Sequence, residues 1–251
     1  DEREIWTALR PIFENERARV LAFDTKRLRH LLDQFGVALR AAVFDAMIAD
    51  YLLNATRPAQ SLEALCQRFD PNAGANVALL FLLREDMQSR LERFGMTRLY
   101  EEMELPLSSV LFEMEREGFR VDEEILLELS EQFKRESERL AARVYELTGE
   151  SFNILSPKQL GHILFEKLGL NTGRKNKTGF STDADTLENL ADSHPVVPKV
   201  LEYRFVAKLK STFIDGLLQS RSPDGRIRTQ FNQCVTATGR ISSTEPNLQN
   251  I

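Results

Sequence analysis

Between Asp122 and Gly149 the apolar residues Leu126, Leu129, Phe133, Leu140, Val144 and Leu147 recur at spacings of three, four and seven. That near-heptad stripe describes one amphipathic helix of about six or seven turns, capped by Asp122 and stopped at Gly149. So long a stripe must be covered by another surface, which commits the chain to a second helical element. Residues 198–218 supply one, with Leu201, Phe205, Leu209, Phe213 and Leu217 at every fourth position. The two segments predict an antiparallel helix pair with Phe205, Leu209 and Phe213 towards the core. These stripes read as packing and not as a cofactor site.

The rest of the chain alternates short strands with helices. Residues 5–16 read as an amphipathic helix, 19–23 as a strand and 26–35 as a helix ending at Gly36. Residues 43–47 lead into a helix over 48–53, and Ser61 caps another over 62–69. A loop at 71–74 precedes a helix over 77–94. The helix over 101–116 is interrupted near Pro106 and stopped by Gly118. After a turn at 222–225, residues 226–235 alternate as a strand does. The predicted class is α+β, predominantly α-helical. With 251 residues, 42% of them hydrophobic, the chain can bury one large core or two smaller ones. No run of eighteen apolar residues suggests a membrane span, and the charged start, Asp1-Glu-Arg-Glu, is unlike a signal peptide. Cys66 and Cys234 lack metal-ligand spacing and read as reduced, buried thiols of a cytoplasmic protein.

Charge is distributed unevenly. Residues 1–150 hold 20 lysines and arginines against 29 aspartates and glutamates, net −9, whereas 151–251 hold 13 against 9, net +4. The basic half is the part suited to a polyanion. It contains Ser156-Pro-Lys-Gln-Leu160, a helix start with a capping Ser, Pro at the first position and Gln159 closing a capping box. Free amides and Lys158 there suit an anion. Next comes Arg174-Lys-Asn-Lys-Thr-Gly-Phe-Ser-Thr182, whose Lys175 and Lys177 precede a glycine turn and the hydroxyls Ser181 and Thr182, with a helix from about Asp183. On the following helix Arg204, Lys208 and Ser211 share one face, with Thr212 beside them. Taken singly, each segment also fits a solvated loop, an ordinary cap or a solvated helix face. The chain closes on Thr236-Ala-Thr-Gly-Arg-Ile-Ser-Ser-Thr-Glu-Pro-Asn-Leu-Gln-Asn-Ile251. Its small residues, Arg240 and the carboxamides Asn247, Gln249 and Asn250 suit a backbone lying close to a polar ligand.

This closing run resembles a signature of the family A DNA polymerases. Asn153-Ile-Leu-Ser-Pro-Lys-Gln-Leu160, Lys177-Thr-Gly-Phe-Ser-Thr182 and Leu201-Glu-Tyr-Arg-Phe-Val-Ala-Lys-Leu-Lys-Ser-Thr212 resemble motifs of the family's thumb, in the family's order. The resemblance implies a bacterial DNA-directed DNA polymerase, a monomer that binds primer–template duplex and acts in the cytoplasm at the nucleoid. It makes Lys158, Lys175, Lys177, Ser181, Thr182, Arg204, Lys208, Ser211 and Thr212 candidate contacts to the DNA backbone. Arg240, Asn247 and Gln249 become minor-groove donors at the primer end. There every base pair offers an acceptor at nearly the same place, so a donor tests geometry without reading sequence.

Phe44-Asp-Ala-Met-Ile-Ala-Asp-Tyr-Leu-Leu-Asn54 resembles part of the family's 3′→5′ exonuclease domain, whose active forms hold two metals on carboxylates. The pattern is damaged. Leucine stands at Leu28, where the family's N-x-x-x-D motif has its carboxylate, no tyrosine precedes Glu85 or Asp86, and the D-x-E strand is missing. Asp24, Asp45, Glu85 and Asp86 therefore read as caps and surface charges. The implied layout is a degenerate exonuclease-like α/β remnant over 1–95, a helical thumb with the long antiparallel pair over 96–225, and the first palm strand over 226–251. The parent would use Mg²⁺ on palm aspartates. The family's K-x-x-x-[FY]-G, D-Y-S-x-I-E-L-R and H-D-E motifs do not occur in these residues, so this stretch is expected to hold DNA without copying it. The alternative is a free-standing, sequence-independent duplex-binding module without an enzymatic parent.

Overall fold

The computed structural model describes residues 2–170, 175–176 and 179–249, without the side chains of Glu2, Lys175 and Asn176. They form two compact units, one of Asp1–Phe119 with Arg228–Ile251 and one of Arg120–Ile227. The segment after residue 227 thus folds with the N-terminal part of the chain.

The first unit begins with α1 (Glu2–Phe13), β1 (Arg19–Ala22), α2 (Thr25–Asp33), β2 (Ala42–Asp45) and α3 (Ala46–Leu53). β1 and β2 run parallel, Arg19 opposite Ala42 and Ala22 opposite Asp45. A parallel pair requires a crossover, and α2 is part of it. Carboxylates start the helices: Asp24 accepts from Arg27 N at 2.9 Å, and Asp45 from Ile48 N at 2.9 Å. α4 (Leu62–Gln67), capped as expected by Ser61, and α5 (Leu79–Arg93) follow. The expected break near Pro106 is a wide π-helical turn, Leu99–Glu104, before α6 (Leu105–Glu117). Pro106 sits in the first turn of α6, where an N–H has no helical partner to lose. Leu65, Leu80, Leu83, Met87 and Leu91 form the core with Phe44, Tyr51 and Tyr100, and Cys234 joins them from far along the chain. Burying one such leucine fully is worth about 1.5–3 kcal/mol. A smaller cluster packs Leu32, Val37 and Leu39 against Trp6 and Phe35, whose rings stack at 5.6 Å.

β3 (Phe119–Arg120) follows α6 in the chain. The second unit opens with α7 (Glu123–Thr148), the predicted long helix: Asp122 caps Ile125 N at 3.2 Å and Gly149, at φ 75°, ends it. Then come α8 (Pro157–Gly161), β4 (Lys175–Asn176), β5 (Gly179–Phe180), α9 (Ala184–Glu188), α10 (Val196–Lys208), a π-helical turn Leu209–Asp215, α11 (Gly216–Ser220) and β6 (Arg226–Ile227). Late in α7, Val144 is buried with Val196, Val197 and Val200 from the start of α10. Earlier in α7, Ser130 Oγ donates to Asp215 Oδ1 at 2.9 Å. Those two contacts make the pair antiparallel, as predicted.

Three local expectations are corrected. Phe205 is 63% exposed, and the covered residues are Val196, Val197, Val200 and Ile214. A repeat of four drifts by about 40° per step on a helix of 3.6 residues per turn, so the stripe does not stay on one side. Gln159 does not reach back to its cap residue: its Oε1 accepts from Asn153 N at 2.7 Å, while Ser156 N donates to Asn153 O. The strand expected over 226–235 is divided into β6 and β7 (Gln230–Asn232), and Gln233 and Cys234 turn inward. β7 pairs antiparallel with β8 (Ser242–Thr244), Phe231 opposite Ser243. Among the described residues no helix is long and apolar enough to cross a membrane.

Candidate nucleic-acid interface

In the second unit the three motif segments meet at one guanidinium. Arg204, midway along α10, donates from Nε to Ile154 O at 3.2 Å and from Nη1 to Thr182 O at 2.5 Å, with Nη2 3.5 Å from Thr182 Oγ1. Ile154, Thr182 and Arg204 belong to three different motifs, and this fork fastens them to one another. Burial lowers Arg204 below the ordinary guanidinium value without discharging it. Ser181 and Thr182 are buried as well, and Ser181 Oγ donates to Asp183 Oδ2 at 2.7 Å. Asp183 in turn caps α9 through Thr186 N. Hence Arg204, Ser181 and Thr182 are engaged inside the protein. Lys158 on α8, Lys208 at the end of α10, and Ser211 and Thr212 in the following turn are exposed. Lys175 falls in β4 with its side chain undescribed, and Lys177 lies outside the described residues.

The other expected contacts lie on the connection between β7 and β8 and just beyond β8. The loop turns at Gly239, whose φ of 78° is one that a side chain would strain. Thr236 organises it: Gly239 N donates to Thr236 O at 3.3 Å, and Thr236 Oγ1 donates to Arg240 O at 2.5 Å. The Arg240 side chain is exposed and makes no hydrogen bond or ion pair with another described residue. The carboxamides differ from it. Gln249 Nε2 donates to Ile241 O at 2.6 Å, and Asn247 Oδ1 accepts from Gln249 N at 3.0 Å and from Ser243 Oγ at 3.3 Å. Both shape the chain after β8, and the amide end of Asn247 meets no partner among the described residues. Asn250 lies outside the described residues.

Two family models match the chain: "DNA polymerase family A" over residues 123–251, and "DNA polymerase I, ribonuclease H-like domain" over residues 2–75. The chain belongs to DNA polymerase family A. It is 38% identical to DNA polymerase I of Bacillus subtilis (strain 168), over 95% of this chain and 30% of that protein. With DNA polymerase I of Geobacillus stearothermophilus the identity is 39%, over 94% of this chain and 30% of the relative. Among solved structures, the POL domain of Pol1 from M. smegmatis, in complex with DNA primer-template and dNTP, superimposes with a TM-score of 0.87 at 35% identity. That match covers 98% of this chain and 45% of the other. The chain therefore spans about a third or less of the length of these curated relatives.

In the ribonuclease H-like part of this family A chain, Asp24 and Asp45 cap helices. Asp45 is buried, and besides capping α3 it accepts from Thr25 N at 2.7 Å and Thr25 Oγ1 at 2.6 Å. Burial outweighs those bonds and pushes its pKa up to about 6. Asp24 caps α2, Asp86 pairs with Arg90 at 3.6 Å, and Glu85 is exposed. Sequence reasoning missed a second carboxylate cluster. Glu115 on α6 is 6% exposed, yet it holds Lys26, His30 Nε2 at 2.6 Å and Phe231 N at 2.6 Å. Burial alone would raise its pKa, but hydrogen bonds from His30, Lys26 and the Phe231 N–H hold it below the usual carboxylate value. Lys26 Nζ also donates to Phe231 O at 2.5 Å, so both polar groups of that β7 residue are gripped. Its one sequence signal is an acid, Glu115, set beside Leu111 and Phe112 on the apolar side of α6.

Proposed function

We propose that this stretch grips primer–template duplex for a polymerase that adds deoxynucleotides to a primer 3′ end. The observation that carries the proposal is the Arg204 fork, which gathers three family motifs into one rigid patch with Lys158 and Lys208 exposed on the same unit. Exposed ammonium groups neutralise phosphates without regard to sequence, which suits a template copier. Ser211 and Thr212 add hydroxyl donors to that surface, and Lys175 and Lys177 bring further charge from the preceding segment. Arg240 supplies a charged fork and Asn247 an amide to minor-groove acceptors, which every base pair presents. In this reading 1–95 is a degenerate exonuclease-like domain, 96–225 the thumb and 226–251 the start of the palm, acting as a monomer. Primer-template and dNTP in the M. smegmatis complex support the choice of partner.

Nucleotide addition by the family uses Mg²⁺. The described residues bring together no three His, Cys, Asp or Glu side chains that could hold a metal ion. The test is direct. The 251-residue chain should bind primed duplex more tightly than single strand, irrespective of sequence, and should neither extend nor trim primers with Mg²⁺ or Mn²⁺. Equal affinity for single strand would remove the duplex grip. Primer extension would overturn the expected inactivity, and trimming would overturn the degenerate-exonuclease reading, with Asp24, Asp45 and Asp86 the first ligands to suspect.

A further inference from the structure

We propose that Tyr51, in the ribonuclease H-like stretch, is a positioning residue for Arg240, acting through Thr236. Tyr51 is 3% exposed on α3, yet its hydroxyl leaves the core and donates to Thr236 O at 2.6 Å. The same carbonyl accepts from Gly239 N, and the hydroxyl of the same Thr236 holds Arg240 O. One residue therefore stands between the phenol of α3 and the backbone of Arg240. A carbonyl has two acceptor sites, and here both are used to shape one turn.

The contact is the last of a series. β7 and the chain after it are fastened at Phe231 by Glu115 and Lys26, then at Gln233, whose Nε2 donates to Glu104 O at 2.9 Å. Cys234 is then buried in the same apolar cluster as Phe44, Tyr51 and Tyr100. Beyond Thr236 the side chains turn outward, and residues 237–240 are exposed. Tyr51 thus marks the point at which the rigid core hands over to the exposed loop. A stretch with its carboxylates committed to caps retains, by this account, a role in holding the loop that meets the primer end.

The inference rests on the minor-groove role proposed for Arg240, so its test is built to separate the two. In the full-length polymerase, Tyr51→Phe removes one hydroxyl and leaves the ring in the core. Incorporation measured in single turnover should slow by about three- to tenfold, the range of one neutral hydrogen bond, with primer–template affinity nearly unchanged. Thr236→Val, which deletes the hydroxyl that holds Arg240 O, should reproduce the effect. Combining Tyr51→Phe with Arg240→Ala should be no slower than Arg240→Ala alone, because the first acts through the second. Hydrogen–deuterium exchange over 236–241 in the free enzyme should quicken in Tyr51→Phe while α3 stays protected. Unchanged exchange and parental incorporation in Tyr51→Phe would overturn the tether, as would slowing that adds fully to that of Arg240→Ala. If exchange quickens but Arg240→Ala extends primers normally, the tether stands as a loop anchor and the minor-groove reading falls.

Discussion

Arg204 and Arg240 lie in equally characteristic motifs and invite the same reading as DNA contacts, yet the molecule treats them in opposite ways. Arg204 is half-buried, with its fork spent on Ile154 O and on Thr182. Arg240 is exposed: its backbone carbonyl accepts from Thr236 Oγ1, and its side chain bonds to no other described residue. A guanidinium is a rigid set of five donors, so what it does depends on which acceptors surround it. In the second unit those acceptors are carbonyls of two distant loops, and the arginine acts as a fastener. On the β7–β8 connection the Arg240 side chain is exposed, and no acceptor among the described residues takes up its donors.

Replacing each arginine by alanine offers the most direct way to break this contrast. Arg204→Ala leaves two carbonyls short of a partner and should destabilise the second unit by about 2–4 kcal/mol. Thermal unfolding of the chain would show it as a clear fall in Tm. An unchanged Tm, with weaker DNA binding, would make Arg204 a contact after all. Arg240→Ala should do the reverse. In the full-length polymerase we expect incorporation slower by about ten- to a hundredfold, the cost of one charged hydrogen bond, with the melting temperature unmoved. Arg240→Lys should rescue little, since a point charge cannot reproduce the planar fork. Parental rates with a lower melting temperature would make Arg240 structural.

The lysines sharpen the same contrast within one unit. Neutralising Lys158 or Lys208 should each flatten the slope of log K against log salt by about one, as for one phosphate contact, measured by anisotropy on primed duplex. Arg204→Ala should leave that slope alone wherever the protein remains folded. If Lys158→Ala and Lys208→Ala together leave the slope unchanged, that surface is merely solvated.

The smallest expected effect compares the two anchors by pH. Glu115 is held below its ordinary carboxylate value by its donors, so the stability it contributes is complete above about pH 4.5 and is lost as pH falls through the lowered folded value. Wild type should therefore exceed Glu115→Gln by about 1 kcal/mol at neutral pH and lose that margin in acid. The margin of wild type over Arg204→Ala should stay flat over the same range, because the guanidinium keeps its charge. Denaturant titrations at several pH values would check both. A Glu115 margin that persists into strong acid would mean packing, not charge, makes that anchor.

Much of what is set within a few residues was legible beforehand, the capping box expected of Gln159 being an exception. The caps at Ser61, Asp122 and Ser156, the length of α7 and its antiparallel partner follow from side chains that act on their own turn or on a periodic face. Periodicity says that a face is apolar but not what covers it, which is why Phe205 was placed in the core and lies in solvent. Sequence likewise identified the motifs around residues 153–160, 177–182, 201–212 and 236–251 without saying which side chain in each faces outward. That choice belongs to contacts such as Glu115 with Phe231 and Lys26, separated by 116 and 89 residues, and Tyr51 with Thr236, separated by 185. Such pairs leave no spacing in the chain, because their partners are brought together only when the core closes. The sequence alone therefore determined the helices, their caps and the family. Only the tertiary structure decided that one arginine fastens motifs together while the other is left exposed, since a donor's role is fixed by the acceptors that folding places beside it.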